Sequence, residues 1–200
     1  MEEPFQPTRH EQMTEDQLRD VTVGEPQVIG GPVELVKYDP SWPEMFAREA
    51  QRIECALGRL ALQIEHVGST SVPGLAAKPI IDILMVVTDS ADEGNYVSAL
   101  ESADYTMRIR EPDWYQHRML KGRDPIVNLH VFSEGCPEIE RMLLFRDWIR
   151  SNPADRALYG RTKRELAQRE WKYIQNYADA KGGVVEEILG RARACRHNPP

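Results

Sequence analysis

The sequence has little of what would place a protein in a membrane or outside the cell. Its longest apolar runs are strand-sized, whereas a transmembrane helix needs about 20 such residues. No basic segment followed by an apolar one opens the chain, so we expect no secretion signal. The three cysteines, Cys55, Cys136 and Cys195, are far apart and lack C-x-x-C spacing, which is typical of reduced thiols. These absences predict a soluble, cytoplasmic protein without a membrane partner.

A basic excess is also lacking. The 200 residues include 25 Lys and Arg against 32 Asp and Glu, a net charge of −7. Binding of long nucleic acids depends on neutralisation of phosphates by a basic surface, so we expect no long polynucleotide partner. The acidic net charge does not exclude a small phosphorylated ligand. With 41% apolar residues, the chain can bury the core of one domain, or of a domain with an appendage.

What the chain does contain is a strand, loop and strand pattern between residues 64 and 87. A strand ending at Val67 is followed by Gly68-Ser69-Thr70-Ser71, whose small residues let N–H groups and hydroxyls approach an anion. Asp82 then lies in an apolar run over 80–87 that is typical of a central strand buried on both faces. A charge there needs a partner. The pattern predicts a phosphate-binding loop beside a carboxylate.

Several longer motifs surround this pattern. They are Tyr38-Asp39-Pro40 with Trp42 and Phe46, His66-Val67-Gly68-Ser69-Thr70, Val72-Pro73-Gly74-Leu75, Ala77-Lys78-Pro79, Leu129-His130-Val131 and Leu144-Phe145-Arg146-Asp147. In order and spacing they resemble the GrpB family (UPF0157), a branch of the nucleotidyltransferase (DNA polymerase β-like) superfamily, over roughly residues 33 to 192. The resemblance implies an α/β (α+β) fold, with a nucleotidyltransferase-like mixed β-sheet core, flanking helices and a helical C-terminal region.

The resemblance also implies a chemistry. Proteins of this fold transfer a nucleoside monophosphate from a nucleoside triphosphate, with divalent ions bridging carboxylates and phosphates. We therefore expect Mg²⁺ and a nucleoside triphosphate, with Gly68, Ser69 and Thr70 on the phosphates, Asp82 on the metal and a small molecule as acceptor. The second carboxylate of the fold usually follows two residues later, where this chain has Leu84. One carboxylate binds Mg²⁺ poorly unless nucleotide phosphates supply most of the other ligands, which weakens two-metal catalysis here.

A histidine on the strand predicted at 126–132 is a candidate to complete the site. Side chains alternate along a strand, so Asn128 and His130 point to one face. His130 is the candidate metal ligand or catalytic acid or base. His66, two residues before Gly68, is directed toward the loop. Each histidine has an alternative role as a buried, hydrogen-bonded core residue.

Basic residues are candidates for holding phosphate. Lys78 stands at the entrance of the second strand, where it either reaches a phosphate or remains a solvated loop residue. A local basic excess between residues 108 and 123, which includes Arg118, is interleaved with Trp114 and Tyr115. This segment either grips a triphosphate, with an aromatic ring stacked on a base, or forms a solvated hairpin.

The order of predicted elements divides the chain into three parts. Residues 1–32 form a flexible extension with a short helix starting near Thr14, residues 33–135 the α/β core, and residues 136–196 a helical region packed on it. The core strands, predicted at 61–67, 80–87 and 126–132, should be neighbours in one mixed sheet.

Proline and glycine punctuate the C-terminal region. A helix begins at Pro137 and breaks at Ser151-Asn152-Pro153, and the last helix follows Gly182-Gly183. Between them lies the charged segment 156–172. Its predicted stripe is Leu158, Thr162, Leu166 and Arg169. Whether these helices form a second lobe or pack across the sheet stays open.

Two functions of different kinds remain. The first is a nucleotidyltransferase acting on a small molecule, with Ser69 on phosphate, Asp82 on Mg²⁺ and His130 as metal ligand or base. The second is a module that binds a nucleotide or phosphometabolite as an accessory to a metabolic enzyme; a CoA-related role is conceivable, since some relatives are fused to dephospho-CoA kinase. The Gly-Ser loop favours the first function and Leu84 the second. The base, the acceptor and the oligomeric state are not determined.

Overall fold

A computed structural model describes residues 12–197 of the chain. The helices are α1 (Glu15–Val21), α2 (Trp42–Leu57), α3 (Val97–Ser102), α4 (Pro137–Ser151), α5 (Pro153–Ala167), α6 (Ile174–Asp179) and α7 (Gly182–His197). The strands are β1 (Val28–Gly31), β2 (Gln63–Val67), β3 (Ile81–Val87), β4 (Thr106–Glu111), β5 (His117–Gly122), β6 (Val127–Ser133) and β7 (Trp171–Tyr173). Short 3₁₀ turns lie at Gly58–Leu60, Ser69–Ser71 and Glu93–Asn95.

Five of the strands form one mixed sheet in the order β2-β3-β6-β5-β4. Strands β3 and β6 run parallel, and the other neighbours are antiparallel. The three core strands predicted from the sequence correspond to β2, β3 and β6, and they are adjacent in this sheet. The predicted α/β fold class is therefore confirmed.

Strand alternation gives the sheet two different faces. The first face is apolar, with Ile83, Met85, Leu129 and Val131 buried against α2 and α3. On the second face, the same alternation places a smaller apolar group, Val67, Leu84 and Phe132, toward α4. Asp82 of β3 and Asn128 and His130 of β6 lie on this second face as well.

The C-terminal helices pack across the sheet. Ile139, Met142 and Leu143 of α4 contact the apolar group of the second face. Farther along, Val33 N–H donates to the carbonyl of Ala167 at the end of α5, at 2.9 Å. The question that the sequence left open is thus answered, because the helical region covers the second face of the sheet.

A small sheet of β1 and β7 was not predicted. The helix in the charged segment 156–172 ends at Ala167, before the last residue of the predicted stripe, and residues Trp171–Tyr173 pair antiparallel with Val28–Gly31. These strands have three and four residues. Such short strands carry little periodicity, so only the pairing of distant segments defines them.

The buried face of α5 also differs from the predicted stripe. Tyr159, Lys163 and Leu166 are buried, whereas Leu158 and Thr162 are only half-buried. Leu166 was predicted correctly, but at the two earlier positions the buried residue is the next one along the chain, and Arg169 lies beyond the end of the helix at Ala167.

Helix α1 begins as the sequence predicted. Thr14 and Gln17 form a capping box, each side chain accepting from the other's backbone N–H. The flexible tail predicted before it falls largely on residues 1–11, outside the described residues. None of the helices between residues 12 and 197 is long and apolar enough to cross a bilayer. Cys55, Cys136 and Cys195 are free thiols.

Candidate functional site

The second face of the large sheet opens into a cavity of about 620 Å³. Strands β3, β5 and β6 form its floor, the loop after β2 forms one wall, and Lys163 of α5, residues of α6 and Lys181 form another. The polar side chains that line it include Ser69, Lys78, Asp82, Lys121, Asn128, His130, Lys163 and Lys181. Its volume lies in the range of small-molecule sites.

Gly68 ends β2 in a conformation that is close to exclusive to glycine, with φ 67° and ψ −169°. A Cβ at this position would lie 2.8 Å from Asp82 Cβ and 2.9 Å from Asp82 Cγ. The 3₁₀ turn of Ser69–Ser71 follows, and Ser71 Oγ donates to the Gly68 carbonyl at 2.7 Å. The loop therefore needs glycine because its backbone packs directly on the carboxylate.

The next two hydroxyl residues have different surroundings. Ser69 borders the cavity and hydrogen-bonds Tyr159 of α5; burial raises the pKa of Tyr159 to about 12, with Ser69 acting in the opposite direction. Thr70 is buried, its Oγ1 donating to the Ile80 carbonyl at 3.1 Å and lying 3.1 Å from His66 Nε2. The predicted phosphate contact of the Thr70 hydroxyl is not supported, because the fold itself uses that hydroxyl.

Asp82 lies on the cavity floor beside Asn128 and His130. Asn128 Nδ2 donates to Asp82 Oδ1 at 2.8 Å, because the parallel pairing of β3 and β6 puts these residues side by side on one face. His130 Nε2 is 4.0 Å from the same oxygen. The sequence indicated a strand buried on both faces. At Asp82 this is wrong, because the Asp82 side chain is 28% exposed on the cavity face. Ser69, Asp82 and His130 thus border one cavity, as strand alternation predicted.

His130 continues into a buried chain of hydrogen-bonded groups. Its Nδ1 lies 3.1 Å from His117 Nε2, and His117 Nδ1 lies 2.7 Å from Glu111 Oε2. Glu111 and His117 are each 4% exposed. When Glu111 accepts from Nδ1 of a neutral His117, Nε2 of His117 accepts from His130 Nδ1–H. The lone pair of His130 is then on Nε2, the nitrogen nearer to Asp82.

Three lysines from separate segments meet in the cavity. Lys78 precedes β3, Lys163 lies on α5, and Lys181 lies between α6 and α7. Lys163 is 2% exposed and donates to the Ala76 carbonyl at 2.6 Å. The ring of Tyr177 lies 5.8 Å from Lys78 Nζ and 4.6 Å from Lys181 Nζ. Tertiary packing alone brings these cations together.

The protonated form of these lysines is disfavoured. Burial, followed by the charge of Lys181, lowers the pKa of Lys163 to about 6 against the opposing effect of Asp82. Burial and then Lys181 likewise lower the pKa of Lys78 to about 8. Burial lowers the pKa of Lys181, with Asp82 opposing it. An anion bound among these amines would restore their charge, so the cavity suits an anionic ligand.

Alternation on β5 decides which basic residues of the 108–123 segment reach the cavity. Lys121 lies on the cavity face. Arg118 pairs in register with Val131 on the first face, where its Nε donates to Glu93 Oε1 at 2.6 Å. The structure therefore contradicts a cofactor contact by Arg118, because the sheet separates its guanidinium from the cavity.

His66 lies on the first face of the sheet. Its ring stacks on Phe46 with centroids 4.8 Å apart. Burial lowers the pKa of His66 to about 4; Asp82 opposes the shift, and Arg150 and Arg146 add to it. A neutral, buried His66 supports the loop through Thr70, which agrees with the structural alternative for this histidine.

Asp82 and His130 together can reach one divalent ion. Two ligands that bind an ion at about 2.1 Å are at most ~4.2 Å apart, and Asp82 Oδ1 and His130 Nε2 are separated by 4.0 Å. Within residues 12–197, no group of three or more His, Cys, Asp or Glu side chains is arranged to hold a metal. Mg²⁺ is often held by one or two carboxylates plus substrate phosphates. The side chains suit an ion that arrives with phosphates.

Sequence reasoning missed Lys163, Lys181, and the pair of Glu111 and His117 as site residues. A signal existed for Lys163, which lies on the helical stripe of Tyr159 and would have stood out had the stripe been placed correctly. The others have no local signal, because separate elements bring them to the cavity.

Comparison with known proteins agrees with the architecture. The family model described as GrpB protein matches residues 32–191. A UPF0157 protein of Halalkalibacterium halodurans is 61% identical over 181 residues, which cover 90% of this chain and 93% of that protein. The crystal structure of the conserved protein GrpB from Enterococcus faecalis matches with a TM-score of 0.72 at 33% identity, covering 82% of this chain and 100% of that one.

Similarity extends to part of a longer protein. A dephospho-CoA kinase of Mycolicibacterium paratuberculosis is 34% identical over 193 residues, which cover 83% of this chain but 47% of the kinase. This likeness therefore concerns about half of the kinase. The family model matches most of this chain, and a relative of nearly equal length is 61% identical to it, so the chain belongs to the GrpB family.

Proposed function

We propose that the protein binds a nucleoside triphosphate with Mg²⁺ in the large cavity and transfers its nucleotidyl group to a small-molecule acceptor. One observation carries this proposal. Lys78, Lys163 and Lys181 converge with the Gly68–Ser69 loop on a single carboxylate, Asp82. The negative charge of a triphosphate would favour the protonated form of the three amines, which burial disfavours.

The phosphate chain would lie between the loop and the lysines. Glycine at position 68 lets the loop backbone pack on Asp82, and the Ser69 hydroxyl borders the cavity next to it. Lys163 and Lys181 face the loop from the helical region. A charge-assisted hydrogen bond from each amine would then hold the phosphates in place.

Mg²⁺ would be held by Asp82 and His130 together with phosphate oxygens, where it would neutralise developing charge on the phosphates. Glu111 and His117 orient His130, so that its Nε2 lone pair is directed at the metal or at the acceptor. In the proposed reaction, the acceptor hydroxyl forms a bond to the α-phosphorus while the bond to the bridging oxygen breaks. Pyrophosphate leaves, and the hydroxyl proton passes to solvent when His130 Nε2 holds the metal, or to His130 Nε2 when Asp82 and the phosphates alone hold it.

A second candidate function is a module that binds a nucleotide or a phosphometabolite without chemistry. Leu84 favours it, because this fully buried residue occupies the position of the second carboxylate and packs with Val67 and Phe132. The similarity to part of a dephospho-CoA kinase makes dephospho-CoA a sensible second probe for this function.

Calorimetric titration tests both candidates. The protein is titrated with each ribonucleoside triphosphate and with dephospho-CoA, with and without Mg²⁺, in two buffers of different protonation enthalpy. We expect one nucleotide to bind with uptake of protons near pH 7.5, because the pKa values of Lys163 and Lys78 rise when an anion binds. Release of pyrophosphate is then measured in the presence of a pool of small metabolites as acceptors. This release distinguishes the transferase from the binding module.

Lys163→Met should weaken nucleotide binding about tenfold and reduce the proton uptake. Lys172→Met is the matched control, since Lys172 is exposed and pairs with Glu15. If no nucleotide binds, the transferase is wrong, and if dephospho-CoA does not bind either, the CoA-related form of the binding module is wrong as well. If a nucleotide binds but no acceptor pool yields pyrophosphate, the binding module replaces the transferase.

A further inference from the structure

A second cavity lies beside β2, the edge strand of the large sheet. Its volume is about 460 Å³, and it is separated from the first cavity by β2 and the turn after it. Tyr38 and Phe46 line its apolar side, and Arg146, Arg150 and Arg156 line its polar side. The function proposed above uses none of these residues.

The second cavity carries more positive than negative charge. Arg146 donates to Glu65 at 2.7 Å and to Asp147 at 2.7 Å. Arg150 Nη1 is 3.6 Å from the same Asp147 carboxylate, which is 53% exposed. The carboxylates of Glu65 and Asp147 therefore balance the charges of these two guanidinium groups, and the Asp147 carboxylate is largely exposed to solvent.

Arg156 adds a third guanidinium. Its Nη1 donates to the carbonyls of Ile149 and Arg150 at the end of α4, at 3.2 and 3.0 Å. These carbonyls carry no formal charge. The three arginines thus leave a net positive charge at the cavity, in a chain whose overall charge is −7.

Arginine suits one ligand chemistry in particular. Its planar guanidinium donates two parallel hydrogen bonds to a phosphate or a carboxylate. Several donors remain on Arg150 and Arg156, whereas the Arg146 guanidinium is engaged by Glu65, Asp147 and the His66 carbonyl. The aromatic side, with the Phe46 ring stacked on His66, can hold the carbon skeleton of a small molecule. We propose that this second cavity binds a small organic oxyanion, a phosphate monoester or a carboxylate.

The second cavity is linked to the nucleotide loop by direct hydrogen bonds. Arg150 Nε and Nη2 donate to the Ser71 carbonyl at 2.9 and 2.8 Å, and Ser71 Oγ donates to the Gly68 carbonyl. An oxyanion that draws Arg150 toward itself competes with Ser71. Occupancy of the second cavity therefore changes affinity at the loop, a consequence that rests on the proposed nucleotide function, whereas oxyanion binding itself does not.

Heteronuclear NMR on the full chain tests the binding. Inorganic phosphate, ribose 5-phosphate and succinate are titrated separately at constant ionic strength, while arginine Nε–H and His66 ring signals are followed. We expect saturable shifts of Arg150 and His66, and a higher pKa of His66 with the probe bound, since an anion opposes the effect of Arg146 and Arg150. Stronger binding of ribose 5-phosphate assigns a phosphate ester, and stronger binding of succinate assigns a carboxylate.

Variants show where the probe binds. Arg156→Gln should lower the affinity for the more tightly bound probe at least tenfold. Arg150→Gln is a second variant, used if the first fails to fold. Lys163→Met, in the first cavity, should leave its affinity unchanged. The proposal is overturned if no probe gives saturable shifts, if both arginine variants bind like the parent, or if Lys163→Met abolishes the shifts. If the parent protein binds an oxyanion probe in the second cavity but binds no nucleotide, the proposed function is rejected and the oxyanion site is retained.

Discussion

The carboxylate of Asp82 packs against the backbone of Gly68 so closely that a single added Cβ would lie 2.8 Å from Asp82 Cβ. The end of β2 and the start of β3 are thus in direct contact at the cavity. The loop that can hold phosphate and the carboxylate that can hold metal form one unit. Their relative position is set by this packing.

Gly68→Ala should destabilise the fold. The backbone conformation at Gly68 costs another residue about 1–3 kcal/mol, and displacement of Asp82 adds to this. Gly74→Ala is the control, since Gly74 has φ 78° and a Cβ there would meet no atom within 4 Å. Urea unfolding compares the two. A loss at Gly68 no greater than at Gly74 would show that the contact with Asp82 tolerates a methyl group.

Ser69→Ala should cost about 1.5–3 kcal/mol of nucleotide affinity, the contribution of one charge-assisted hydrogen bond. Thermal stability should hardly change. Ser69→Arg should abolish binding while the sheet persists, because it fills a loop suited to close backbone approach. Tyr159→Phe is the control, as it removes the hydrogen-bond partner of Ser69 without removing the serine hydroxyl. Parent-like affinity of Ser69→Ala for every nucleotide would exclude a phosphate role for the loop.

Asp82→Asn should weaken the Mg²⁺-dependent part of nucleotide binding at least tenfold, about 1.4 kcal/mol. Asparagine can still accept the hydrogen bond from Asn128, so the fold should be retained. Calorimetry with and without Mg²⁺, beside thermal melts, measures both effects. If the parent binds equally with and without Mg²⁺, Asp82 has no metal role, and a large loss of stability in the variant would assign it a structural one.

Lys163 should make stability depend on pH. Its pKa falls from the ordinary 10.5 to about 6 in the folded protein, so between these values the unfolded chain binds more protons. The free energy of unfolding should therefore rise with pH across this window, by at most about 1.4 kcal/mol per pH unit. Lys163→Met should remove this contribution. The free energy of unfolding of the variant minus that of the parent should therefore increase as pH falls from 9 toward 6. A constant difference over this range would contradict the lowered pKa, and Lys172→Met should show no such trend.

Glu111→Gln should weaken metal binding without touching the metal. Glu111 acts on His130 through His117, and loss of such a supporting partner commonly costs about 10–100-fold in metal affinity. Mn²⁺ is a convenient probe, because its free fraction is measured by electron paramagnetic resonance in the presence of nucleotide. Glu93→Gln is the control, since Glu93 pairs with Arg118 on the other face of the sheet. Equal Mn²⁺ affinity of the two variants would exclude an orienting role for Glu111.

Local sequence determined the elements that carry the loop and the carboxylate. Apolar continuity marked β3, small residues marked the turn at Gly68, and period-2 alternation placed His130 on the same face as Asn128. These features depend on neighbours within a few residues, which is why a single sequence contains them. The motifs around them also identified the GrpB family.

Tertiary structure decided the charge of the site. Lys163 and Lys181 reach the cavity only because the C-terminal helices fold back over the sheet, and their lowered pKa values follow from that burial. Register also decided that Lys121 faces the cavity while Arg118 faces away, since a shift of one residue exchanges the two faces of a strand. Distances between segments that are remote in sequence set both outcomes, and no local pattern encodes such distances.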